Sequence, residues 1–114
     1  ALHLHRSGGT PDDLALAPEL IASIHLCDAP AAAPDDLFAE MRAGRLFPGE
    51  GELPLHALLD AGPAGVELEI EVPNAALSVL PPSQRARRIH DAGMQFLARH
   101  AARSSFSHAA GQAK

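Results

Sequence analysis

The clearest alternation of apolar and polar residues runs through residues 65–72, which read GVELEIEV. One face of an extended chain would carry the apolar residues, which are Val66, Leu68, Ile70 and Val72. The other face would carry the acidic residues, which are Glu67, Glu69 and Glu71. A period of two predicts a β-strand with one buried face. Apolar runs at residues 21–26 (IASIHL) and 1–5 (ALHLH) predict two earlier strands, the first of them incomplete.

Each predicted strand is followed by a segment with helix signals. Thr10, Pro11 and Asp12 combine an N-cap residue, a proline and an acid, and they predict a helix over residues 11–17. Further helices are predicted over residues 35–41, 52–60 and 84–103. The small and polar residues 104–114 are expected to form a flexible tail. Strands that alternate with helices predict an α/β fold built from parallel βα units.

Composition and charge exclude several classes of protein. The 114 residues carry a net charge of −5 with histidine neutral, so the chain lacks the basic surface that nucleic-acid binding needs. A single cysteine, Cys27, excludes an internal disulfide framework and is typical of a cytoplasmic protein. No apolar run approaches the roughly 20 residues of a membrane span, so we expect no membrane partner.

Side chains with useful chemistry stand at or after the predicted strand ends. They are His3, His25, Asp28, Arg45 and Glu71. The carboxyl ends of parallel strands lie at one edge of a sheet, where reactive groups collect in α/β folds. Imidazoles and carboxylates that converge from different strands are ligands for a divalent metal such as Mn²⁺, Mg²⁺, Co²⁺ or Zn²⁺.

Four stretches of the chain together resemble one family. They are residues 3–9 (HLHRSGG), 24–30 (IHLCDAP), 45–55 (RLFPGEGELPL) and 65–72 (GVELEIEV). In this order they look like the C-terminal part of the xylose isomerase-like TIM barrels, the sugar phosphate isomerase/epimerase group, over about residues 1–100. The resemblance implies that residues 1–103 form about strands six to eight of a (β/α)8 barrel, followed by the tail 104–114. The chain would then be part of a longer enzyme, since a whole barrel takes about 250 residues.

The resemblance also implies roles for individual residues. His25 and Glu71 match a metal-ligating histidine and glutamate, and two further metal ligands would lie outside this chain. Glu71 would in addition act as a catalytic carboxylate. His3 and Arg45 match residues that contact the substrate, and Asp28 stands where relatives often keep an acid near the metal site. The implied activity is metal-dependent proton transfer next to the carbonyl of a sugar, or dehydration of a related polyol or keto acid such as an inosose or dehydroshikimate.

Each of these residues also has a purely structural interpretation. His25 could be a core histidine, Glu71 part of a solvated acidic strand face, and Arg45 a surface residue of its loop. Asp28 could cap the turn that follows it. The chain as a whole could be a non-catalytic fragment or an interaction module. Because three βα units leave two sheet edges unpaired, we expect the remainder of a barrel or a second copy, as in a homo-oligomer, to cover them.

Overall fold

The computed structural model describes the backbone of residues 1–111 and the side chains of residues 1–105. It contains five α-helices and two β-strands in this part of the chain. The helices are α1 (Leu2–Arg6), α2 (Leu37–Ala43), α3 (Leu55–Ala61), α4 (Ala75–Ser78) and α5 (Pro82–Gly111). The strands are β1 (Ser23–Leu26) and β2 (Glu67–Ile70), and two short 3₁₀ helices cover Pro11–Ala15 and Pro18–Leu20.

The two strands form a parallel sheet, as the alternation of strands and helices predicts. Ser23 pairs with Glu67 and Leu26 pairs with Ile70, and the ladder continues to Glu71, whose N–H donates to the Leu26 carbonyl at 3.0 Å. The described chain is therefore a small mixed α/β unit with a two-stranded parallel sheet. Its place in an eight-stranded barrel stays a prediction.

The apolar face of the sheet forms the core with α3 and α5. Ile24 and Leu26 of β1 are buried, as are Leu58 of α3 and Phe96 of α5. The helix α5 approaches β2 at Gly93, where an added Cβ would lie 2.7 Å from Ile70 Cγ1. Glu67, Glu69 and Glu71 all lie on the exposed face, so the predicted two-sided pattern of this strand is confirmed. One face of the sheet is thus packed and the other is open and acidic.

The strand predicted over residues 1–5 is wrong, because this segment forms the helix α1. Leucines alternate with histidines here, but five residues are too few to distinguish a strand from one helical turn. In the structure only Leu2 is fully buried, and the Ser7 N–H donates to the His3 carbonyl at 3.0 Å. Gly8, with φ of 84°, then turns the chain away from the helix.

The remaining boundaries differ by smaller amounts. The helix predicted over 11–17 is a 3₁₀ helix that ends at Ala15, although the Thr10 N–H does donate to Asp13 Oδ2 at 2.7 Å, as expected of a capped helix start. The last helix, predicted to end near residue 103, continues to Gly111, so part of the predicted tail is helical. Residues 112–114 of that tail lie outside the described residues. No helix within the described range combines the length and the hydropathy that crossing a bilayer requires.

Candidate functional site

The open face of the sheet brings His25, Glu69 and Glu71 together. His25 and Glu69 are register partners in neighbouring strands, and side chains two residues apart share one face. His25 Nε2 lies 3.3 Å from Glu69 Oε1, and His25 Nδ1 lies 3.3 Å from Glu71 Oε2. The His25 and Glu71 side chains are 48% and 46% exposed, so both are open to solvent at this face.

Arg45 reaches the same cluster from the segment after α2. Its Nη1 donates to Glu71 Oε2 at 2.7 Å, and its Nε donates to the Met41 carbonyl at 2.9 Å. The Asn74 side chain holds the Arg45 backbone by donating to its carbonyl at 2.8 Å. The Arg45 side chain is only 6% exposed, so it is not a loop-surface residue.

The electrostatics of the cluster favour an ionised Glu71. Burial raises the pKa of this carboxyl, but the Arg45 guanidinium and the His25 imidazole outweigh that effect and hold the pKa below its usual range. The carboxylate is therefore charged at neutral pH. Because the side chain is about half exposed, the charged oxygens can be reached from solvent.

Asp28 lies apart from this cluster and organises a loop instead. The side chain is buried, at 1% exposure, and accepts three backbone N–H groups. Oδ1 accepts from Ala29 and from Leu53, and Oδ2 accepts from Gly49, each at 2.9 Å. The carboxylate thus fastens residues 49–53 to the end of β1. Its hydrogen bonds reach neither His25 nor Glu71, so a role beside a metal stays a prediction that these contacts do not support.

Gly51 explains why the loop can approach Asp28 so closely. A Cβ at this position would lie 2.5 Å from both Asp28 Oδ1 and the Ala29 carbonyl oxygen. Any side chain here would collide with the buried carboxylate and the backbone next to it. A glycine at position 51 is therefore a packing requirement of the loop that Asp28 holds.

His3 is not brought to the cluster by any described contact. It lies exposed on α1, and among residues 1–105 its side chain takes part in no hydrogen bond or ion pair. Its expected contact with substrate stays a prediction.

A second ion pair that the sequence pattern does not indicate joins α1 to α2. Arg6 donates through Nε to Glu40 Oε2 at 2.8 Å and through Nη2 to Glu40 Oε1 at 2.7 Å. The same guanidinium also donates to the carbonyls of Pro30 and Ala31, at 2.8 and 3.0 Å. Both side chains are nearly buried. The hydrogen bonds from Arg6 hold the pKa of the Glu40 carboxyl below its usual range. This pair fixes the loop that follows Asp28.

The described residues offer a partial set of metal ligands. His25 supplies an imidazole nitrogen and Glu71 a carboxylate oxygen, which suit a borderline divalent metal. Within residues 1–105, no three histidine, cysteine, aspartate or glutamate side chains are grouped so that they could hold a metal ion together. When the chain was compared with family models, curated proteins and solved structures, nothing matched.

Proposed function

We propose that this chain is the C-terminal part of a xylose isomerase-like barrel enzyme, a divalent-metal-dependent sugar or sugar phosphate isomerase or epimerase. The observation that carries the proposal is the convergence of His25, Glu71 and Arg45. These residues come from β1, from the end of β2 and from the segment after α2, yet they meet at contacts of 2.7 and 3.3 Å. The family resemblance places all three residues in one site, which supports the proposal.

His25 and Glu71 fit half of a four-ligand site for Mn²⁺, Mg²⁺, Co²⁺ or Zn²⁺. Their donor atoms are adjacent, one is nitrogen and one is oxygen, and both side chains are about half exposed. In such a site a divalent metal polarises substrate oxygens and so makes a neighbouring C–H more acidic. The other half of the ligand set is proposed to come from the remainder of the barrel.

In this proposal each residue of the cluster has a separate role in the reaction. Glu71, ionised at neutral pH, accepts a proton from the substrate carbon through the oxygen that Arg45 does not hold. Arg45 keeps the carboxylate in place and charged, because its Nη1 is bonded to Oε2. His25 Nδ1 lies 3.3 Å from the same oxygen, Oε2, and so helps to orient the carboxylate. Contacts of Arg45 and His3 with substrate oxygens are part of the proposal that rests on the resemblance alone.

The partner implied is a small polyhydroxylated molecule, either a sugar or a related polyol or keto acid. The lone cysteine, Cys27, is buried and unpaired, which fits the proposed cytoplasmic location. The open edges of the two-stranded sheet support pairing with the remainder of a barrel or with a second copy.

Titration of the chain with Mn²⁺, followed by calorimetry and by paramagnetic broadening of NMR signals, tests the site. Binding should broaden the signals of His25 and Glu71 first. His25→Gln and Glu71→Gln should weaken binding by at least about tenfold, since even supporting groups of metal sites matter on that scale. Glu67→Gln is the matched control, because it removes one charge from the same strand face without touching His25. If His25→Gln and Glu71→Gln bind Mn²⁺ with the same affinity as Glu67→Gln, the proposed metal site is wrong.

The reaction itself is tested by incubation with Mn²⁺ and a panel of ketoses and their phosphates in D₂O. An isomerase or epimerase exchanges the proton next to the carbonyl for deuterium, whereas a dehydratase releases water and forms a conjugated product. The assay requires the chain together with the segment that supplies the other ligands. Exchange that survives Glu71→Gln would rule out Glu71 as the base.

A non-catalytic role is the alternative that one observation favours. Arg45 and Glu71 form a 2.7 Å ion pair whose cation is nearly buried, an arrangement that also serves to join α2 to the sheet. In that case Arg45→Met should lower stability, and Glu71→Gln should leave metal binding unchanged. The Mn²⁺ titration of Glu71→Gln therefore distinguishes the enzymatic role from the non-catalytic role.

A further inference from the structure

Two histidines far from the sheet face meet where α3 packs on α5. His56 Nδ1 and His100 Nδ1 are 3.0 Å apart, and the rings lie nearly parallel at an interplanar angle of 11°. His56 also stacks on Phe96, with ring centroids 4.7 Å apart. His100 Nε2 lies 3.5 Å from Asp60 Oδ1. Both imidazoles are partly buried.

The distance between the two Nδ1 atoms requires an uneven distribution of protons. A hydrogen bond between two imidazoles needs one N–H donor and one free lone pair. The Asp60 carboxylate favours a hydrogen on His100 Nε2, so His100 Nδ1 presents its lone pair and His56 Nδ1 donates. If both rings become protonated, two N–H groups and two positive charges face each other at this distance, and the contact becomes repulsive.

The surrounding charges determine the pH at which this happens. Burial lowers the pKa of His56, the positive charges of Arg103 and Arg99 and a proton gained by His100 lower it further, and Asp60 opposes these effects. A histidine with a lowered pKa is neutral in the folded state and binds a proton more readily when the contact opens. The contribution of His56 to the stability of the α3–α5 contact is fully present above the ordinary histidine pKa of about 6.5. It is lost as the pH falls through the lowered pKa of the folded state.

The contact holds a part of α5 that supports the Asp28 loop. A Cβ on Gly49 would lie 2.7 Å from Arg99 Nη2 and 3.2 Å from Phe96 Cδ2, so this turn of α5 lies directly on the loop. The Gly49 N–H is in turn bound by Asp28. If this turn of α5 moves away, the loop therefore loses its outer support.

We propose that the His56–His100 pair is a pH-sensitive latch that fastens the C-terminal half of α5 to α3 and opens on mild acidification. The latch is independent of the proposed enzymatic function. It depends on contacts between α3 and α5 alone and involves none of the residues at the open sheet face.

Amide hydrogen exchange of the 114-residue chain at pH 7.5 and pH 5.0, expressed as protection factors, tests the latch. Protection of residues 96–103, relative to protection of β1, should be lower at pH 5.0 than at pH 7.5. His56→Phe keeps the stack but removes the titration, and it should abolish this drop. His90→Gln is the control on the same helix, because His90 is exposed and contacts only its neighbour Asp91. The same drop in His56→Phe as in the wild type would overturn the proposal.

A second measurement does not depend on any variant. Nitrogen-15 NMR of the wild-type imidazoles at pH 7.5 should find His56 protonated at Nδ1 and His100 protonated at Nε2. If both rings carry their hydrogen on Nε2, no hydrogen bond joins the two Nδ1 atoms and the latch does not exist.

Discussion

The buried Asp28 carboxylate is expected to contribute several kcal/mol to stability. It accepts two hydrogen bonds from the 49–53 loop, from the N–H groups of Gly49 and Leu53, and one from its neighbour Ala29. A hydrogen bond to a charged group contributes about 1.5–3 kcal/mol. Asp28→Ala removes all three bonds and leaves three backbone donors without partners; the two loop bonds alone should cost about 3–6 kcal/mol.

Asp28→Asn separates this hydrogen-bonding role from general effects of substitution. The amide oxygen can still accept from Ala29 and Leu53, but the amide NH₂ meets the Gly49 N–H donor-to-donor. One bond is lost, so the expected cost is about 1.5–3 kcal/mol, smaller than that of the alanine variant. The control is Asp35→Asn, which makes the same change of charge at an exposed position and should stay within about 0.5 kcal/mol.

Urea unfolding followed by circular dichroism at 222 nm measures these free energies, and the slope of the transition checks that the unfolded states are comparable. A variant that loses all cooperative unfolding has lost more than the stability of the wild type and agrees with the expectation. If Asp28→Asn instead unfolds at the same urea concentration as Asp35→Asn, the carboxylate does not hold the loop, and the reasoning is refuted.

Four further predictions concern the Arg6–Glu40 ion pair, the contact of α5 with β2, and the edges of the sheet. Arg6→Lys keeps the charge but cannot form the two parallel bonds to Glu40, so urea unfolding should show a loss of about 1–3 kcal/mol. Because Arg6 lowers the pKa of Glu40, the pair stabilises the fold above the ordinary glutamate pKa, and this stability is lost as the pH falls through the lowered value. Glu40→Gln should therefore reduce the loss of unfolding free energy at acidic pH. An unchanged loss at acidic pH would contradict this prediction. Gly93→Ala places a Cβ 2.7 Å from Ile70 Cγ1 and should cost about 1–3 kcal/mol in the same assay, whereas Ala92→Gly on the same helix should cost about 1 kcal/mol through helix propensity alone. The chain, with unpaired edges on both strands of its sheet, should associate in gel filtration; a monomer whose melting temperature does not change with protein concentration would contradict this.

Local sequence patterns determined those elements in which apolar and polar residues repeat with the period of a strand or carry clear helix-end signals. The strand around residues 65–72 was predictable because each glutamate alternates with an apolar residue, and the observed β2 has that division between its faces. The helix α3 was predictable from its proline start and glycine end, at Pro54 and Gly62. The prediction for residues 1–5 failed because their alternation is too short to exclude a helical turn, and the segment forms α1.

The tertiary structure alone decided which polar groups meet. His25, Arg45 and Glu71 were selected by residue type and resemblance, but their ion pairs depend on the parallel register of β1 and β2. The pairs Arg6–Glu40 and His56–His100 span 34 and 44 residues, and no spacing rule connects positions so far apart. A period of two or 3.6 specifies which face of an element a residue occupies. It carries no information on which other element that face will meet, because that choice is made by packing of the whole chain.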